Sequence, residues 1–158
     1  MGYAFNANEV FLMAEKMEQN GANFYKNAAG RIDDETKKKF LTDLSFMEEQ
    51  HKRTFKAMRE KLAEKDRATT VFDPDGEAVQ YLNALVDTRV FFEKEIDLSS
   101  MEGILKAAIE AEKDSIIFYL GMKEGVSENL GKDKIEHIIN EEMGHVRALS
   151  NELRLLKK

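Results

Sequence analysis

Residues 41–62 read LTDLSFMEEQHKRTFKAMREKL, and the fold of the chain turns on how Glu48 and His51 sit within them. Leu41, Leu44, Glu48, His51, Phe55, Met58 and Leu62 are spaced 3, 4, 3, 4, 3 and 4 residues apart, a heptad seam that predicts one amphipathic helix. A carboxylate and an imidazole occupy the middle of that seam, where packing alone would place two more apolar side chains. Residues three apart on a helix point the same way, so Glu48 and His51 present their donor atoms together.

A second seam repeats the anomaly. Ile135, Ile138, Glu142, His145, Leu149, Glu152 and Leu156 form the stripe of a last helix, with Glu142 and His145 in the stretch IINEEMGHVRAL. The two seams are related by an offset of 94 residues, which also carries Glu18 to Glu112, Phe24 to Phe118, Tyr25 to Tyr119 and Arg53 to Arg147. MEQNGANFY thus answers AEKDSIIFY, and EEQHKR answers EMGHVR. The chain reads as one helical hairpin used twice.

Four long helices follow from the same reading. Asn8 is the expected cap of a first, at about 8–29, with Phe11, Ala14, Gly21, Phe24 and Ala28 facing inward until Gly30. Asp33 is the expected cap of the second. Ser99 with Glu102 forms a capping box for the third, at about 100–124, and Asp133 opens the fourth. Short loops join helices 1 and 2, and 3 and 4, so each pair is an antiparallel hairpin. Between the hairpins, RATTVFDPDGE holds the sole proline and predicts a loop, and Val79, Leu82, Val86 and Val90 predict a connecting helix at about 77–95. The expected fold is all-α: a four-helix bundle of two repeated hairpins with a long helical crossover, forming a single domain over residues 1–158.

Composition agrees and removes several functions. With 9 glycines and 1 proline in 158 residues, uninterrupted helices are favoured over sheet. The net charge of −6, with cations dispersed, offers no footprint for nucleic acid or an anionic membrane. No run approaches the ~18 apolar residues of a membrane span, and the first residues lack the basic and apolar regions of a signal peptide, so a cytoplasmic location is expected. Cysteine is absent, which excludes disulfides, thiolate zinc sites, iron–sulfur clusters and cysteine nucleophiles. The eight methionines read as core filler rather than haem ligands.

Duplication of a hairpin about a pseudo-twofold axis sets each repeated residue opposite its copy. Glu18, Glu48, Glu112 and Glu142 then meet His51 and His145 in the bundle core. Four buried carboxylates cannot all stay ionised without compensation, and two divalent cations supply it. Oxygen-rich donors with one nitrogen per metal suit iron first and manganese, or a mixed pair, second. Tyr25 and Tyr119 are either core aromatics or hydrogen-bond donors to those carboxylates from a neighbouring helix. Glu15, Glu49 and Glu141 flank the stripes and read as solvated, and His137 reads as a non-ligand.

These residues resemble the rubrerythrin-like branch of the ferritin-like di-iron carboxylate proteins. The paired Glu-x-x-His motifs and the two Glu-to-Tyr runs, Glu18 to Tyr25 and Glu112 to Tyr119, carry the resemblance over about residues 8–156. It implies two iron ions held by Glu18, Glu48, His51, Glu112, Glu142 and His145, with Glu48 and Glu142 as bridges. It further implies reduction of hydrogen peroxide or oxygen, an external electron donor such as rubredoxin, and a homodimer or larger homo-oligomer. Ferritin-like iron oxidation, storage or trafficking, or a non-enzymatic metal-binding adaptor, are the other functions such a site can serve. Two departures bear on the choice. Peroxidase rubrerythrins carry a further glutamate where this chain has Ser115, and the chain has no cysteine from which to build a rubredoxin domain.

Overall fold

In a computed structural model, the described residues are 7–62, 98–125 and 131–158. Among them are four α-helices and no strand: α1 (Ala7–Ala29), α2 (Glu35–Glu60), α3 (Met101–Gly125) and α4 (Lys132–Leu156). The pairs α1–α2 and α3–α4 pack as hairpins, and α1 also meets α3. The connecting helix expected at 77–95 lies outside the described residues. Among those residues no helix is long and apolar enough to cross a membrane.

The apolar seams build two clusters, each drawn from all four helices. One joins Phe11 and Met17 of α1, Phe55 and Met58 of α2, Phe118 and Met122 of α3, and Ile135 and Ile138 of α4. The other joins Phe24 and Ala28, Leu41 and Leu44, Ile104 and Leu105, and Leu149. The early part of α1 shares a cluster with the late part of α2, and the early part of α3 belongs to the opposite cluster. Neighbouring helices therefore run antiparallel within each hairpin, and α2 ends at the opposite end of the bundle from the start of α3. In every helix the polar exception, Glu18, Glu48, Glu112 or Glu142, falls between the two clusters in sequence. It forms a layer clamped by apolar packing above and below.

The helix starts differ from the sequence reading by a residue or so. α1 already includes Ala7, which puts Asn8 inside the helix rather than at its cap. α2 is capped by Asp34, not Asp33: Asp34 is extended, and its Oδ1 accepts from Lys37 N at 3.0 Å. α3 is capped by Ser100, whose Oγ accepts from Gly103 N at 3.0 Å, while Glu102 pairs instead with Lys106. Before α4 stands Gly131 with φ 96°, where a side chain would be strained and an added Cβ would lie 2.7 Å from Met58 Cε. The chain thus turns into α4 directly against the end of α2.

Candidate metal centre

The seven seam residues from Leu41 to Leu62 are all buried, as are Ile135, Ile138, Glu142, His145 and Leu149 of α4; Glu152 and Leu156 are only partly so. Because the seams are buried along most of their lengths, the polar residues within them are largely withdrawn from solvent. Glu112 and Glu142 are fully buried, and Glu18, Glu48, His51 and His145 retain 4% exposure or less.

All six meet at one place. Glu18, Glu48, His51 and Glu142 each offer an atom within 4.8 Å of the others, and so do Glu48, Glu112, Glu142 and His145. Glu48 and Glu142 belong to both groups. His51 Nδ1 lies 2.7 Å from Glu142 Oε1 and 3.6 Å from Glu18 Oε2. His145 Nδ1 lies 3.0 Å from Glu142 Oε2, 3.3 Å from Glu48 Oε1 and 3.4 Å from Glu112 Oε1. The two imidazoles stack with centroids 5.8 Å apart. Both therefore turn Nδ1 toward the carboxylates.

Small residues and tyrosines shape the layer. Gly21 leaves room for Glu48, since a Cβ there would stand 3.1 Å from Glu48 Oε2. Tyr25 and Tyr119 are fully buried, and each spends its hydroxyl on the other hairpin: Tyr25 donates to Glu112 Oε1 at 2.6 Å, and Tyr119 donates to Glu18 Oε1. They are at once core aromatics and carboxylate donors. Ser115 is buried and turns its Oγ back to Ala111 O, 3.0 Å away within its own helix.

Electrostatics show how costly the arrangement is. Burial, then the charges of Glu112, Glu142 and Glu18, drive Glu48 well above the usual carboxylate range. Burial, Glu112 and Glu18 push Glu142 up to about 8. Burial opposes a charge on His51, yet Glu142 and Glu18 override it and raise it to about 12; Glu112 and Glu142 raise His145 in the same way to about 10. Glu112 moves oppositely, because Glu142, His145 and Tyr25 hold it ionised against its burial. Burial and the adjacent carboxylates keep both tyrosines protonated. Without a metal, protons do the neutralising.

The donor set fits a pair of cations. Glu18 Oε2, Glu48 Oε1, Glu112 Oε2, both oxygens of Glu142 and Nδ1 of both histidines are buried without a well-directed hydrogen bond, although His51 Nδ1 and Glu142 Oε1 stand 2.7 Å apart. Orphaned polar atoms are costly in a core, and here they converge, as an ion would require. Oxygen donors with one imidazole per group match iron or manganese.

Two readings of flanking residues need correction. Glu141, expected to be solvated, accepts between two histidines: His51 Nε2 at 2.6 Å and His137 Nε2 at 2.6 Å. Glu15, also expected to be solvated, is buried and grips Arg59 of α2 through two contacts, 2.6 and 3.2 Å. His51 for Glu141 and Arg59 for Glu15 lie across a helix–helix interface, which a single-helix periodicity does not reveal. Glu49 is exposed as expected, and His137 lies outside both groups. A cavity of about 540 Å³, lined by Gln50, His51, Thr54, His137 and Glu141 among others, reaches from the surface to the back of His51.

A family model described as Rubrerythrin matches residues 9–153. Among solved structures, the chain is similar to a Thermotoga maritima protein described as a ferritin-like diiron-carboxylate protein, at 22% identity and a TM-score of 0.72 over 98% of each chain. That likeness bears on the fold. No curated protein sequence matches.

Proposed function

This chain belongs to the rubrerythrin family, and from that premise we propose that it is a non-haem di-iron protein that reduces hydrogen peroxide or oxygen with electrons from an external donor such as rubredoxin. One observation carries the reading: six buried residues on four helices, each with a polar atom that lacks a hydrogen-bond partner, fall into two groups that share Glu48 and Glu142. In it, Glu18 and His51 would help to hold one iron and Glu112 and His145 the other, with Glu48 and Glu142 available to both. Iron bound there would supply the electrons for reduction and an open position for a small oxidant.

The chain's own residues do the rest. Tyr25 and Tyr119 pin the terminal carboxylates, leaving each a free oxygen aimed inward. Apolar clusters on both sides exclude bulk water from the layer. Partial solvent access lies on the His51 side, through the cavity beside Glu141. The family premise also supports a homodimer or larger oligomer.

Iron oxidation and trafficking is the second reading, and Ser115 favours it. Its hydroxyl is committed to Ala111 O, so no seventh donor stands where peroxidase relatives carry a glutamate. Metal analysis of the native protein, with optical spectra of the ferrous form before and after one equivalent of peroxide, separates the cases. Two irons per chain, oxidation faster with peroxide than with oxygen, and turnover with rubredoxin and its reductase support the enzyme. Oxidation with oxygen alone and release of ferric iron support trafficking. A protein that takes up no metal defeats both.

A further inference from the structure

The repeat that makes the site nearly symmetric does not hold behind the two histidines of the site. His51 is backed by Glu141, which accepts at Nε2 at 2.6 Å and is itself held by His137 at 2.6 Å. The offset of 94 residues assigns Met47 to the corresponding place behind His145. A thioether is a weak acceptor and carries no charge. Accordingly His145 Nε2 is buried with no hydrogen-bond partner.

The geometry points to two unequal metal sites, in which Glu141 acts as a positioning residue that fixes His51 with Nε2 protonated and Nδ1 toward the ion, so that the His51 site fills first. This inference rests on the metal reading above. A carboxylate behind a ligand histidine fixes its tautomer and raises its basicity, and such partners are typically worth about 10- to 100-fold in metal affinity. His145 has no such support, since its Nε2 meets no acceptor. The cavity opening on Glu141 and His51 also gives a cation its approach from that side.

Zinc(II), added alone to the full chain labelled with nitrogen-15 at histidine, reads the order directly. The chain has three histidines, so the ring signals of His51, His145 and His137 are separable. The first equivalent is expected to shift Nδ1 of His51 and leave His145 unchanged; the second shifts His145. Glu141→Ala should abolish that order by weakening the His51 site about 10- to 100-fold. Glu141→Gln, whose carbonyl oxygen accepts the same hydrogen, should restore it. Glu141 is one-third exposed, so these variants should fold. Simultaneous filling in the wild type, filling of His145 first, or an unchanged order in Glu141→Ala overturns the inference while leaving the metal reading intact. No zinc at either histidine overturns the metal reading itself.

Discussion

The hydroxyl of Tyr25 crosses from one hairpin to the other and donates to Glu112 Oε1 at 2.6 Å, and Tyr119 returns the contact to Glu18. Each tyrosine thus serves a carboxylate that its own hairpin does not supply. Tyr25→Phe removes a donor from a fully buried oxygen, which should cost about 1–3 kcal/mol in the metal-free protein. It should also weaken the ion beside Glu112 and His145 more than the ion beside Glu18 and His51, with Tyr119→Phe giving the reverse. Thermal melts and metal titrations of the two variants check this; identical titration profiles would count against it.

Glu142 belongs to both four-residue groups, so stability and metal binding should respond to its loss in opposite directions. Folding raises its pKa from 4.5 to about 8, which penalises the metal-free fold increasingly across that interval. Glu142→Gln removes the penalty. The metal-free variant should melt higher than wild type at pH 8 while metal content falls from two ions toward none. Glu112→Gln, which touches one group, should retain one ion.

The two histidines give the metal-free protein a definite pH dependence. Their pKa values rise from 6.5 to about 12 and about 10, so their contribution is complete below pH 6.5 and is lost as pH climbs through 10 toward 12. Glu142 acts in the same sense from 4.5 to about 8. The lowered Glu112 opposes them only on the acid side, its support disappearing as pH falls below 4.5. The melting temperature of metal-free protein should therefore decline from pH 6.5 to 10, and that of metal-loaded protein should change less. Metal uptake at pH 7 should release protons, measurable by calorimetry in buffers of different ionisation enthalpy.

Gly21 offers a separation of packing from chemistry. Alanine within a helix is favoured over glycine by about 1 kcal/mol, yet the new Cβ would stand 3.1 Å from Glu48 Oε2. Gly21→Ala should leave the metal-free protein as stable or slightly more so, while displacing Glu48 and weakening uptake of both ions. Unimpaired metal binding in a well-folded variant would show that Glu48 needs no such clearance.

The seams made the fold readable. Every residue of the Leu41–Leu62 stripe is buried, because a 3–4 spacing sustained through seven positions leaves a helix one face to bury. The same regularity exposed Glu48, His51, Glu142 and His145 as exceptions, and the offset of 94 added Glu18 and Glu112. Capping was less legible. Asp33–Asp34 and Ser99–Ser100 each offer adjacent residues of one type, and backbone geometry decides between them. Glu141 and Glu15 were hidden for another reason: their partners, His51 and Arg59, come from other helices, and flank positions carry no periodic signal. A carboxylate immediately beside a seam, at the level of a histidine on the opposite seam, is the pattern that would have found Glu141.

Each of the two groups takes three residues from one hairpin and the fourth from the other: Glu18, Glu48 and His51 need Glu142, while Glu112, Glu142 and His145 need Glu48. A peptide carrying one hairpin would complete neither group, and two such peptides mated about the same axis would complete both. An ancestor of half this length would have been metal-blind until it met its twin. Two copies joined in one chain make that encounter permanent, and they leave Glu141 and Met47 free to differ.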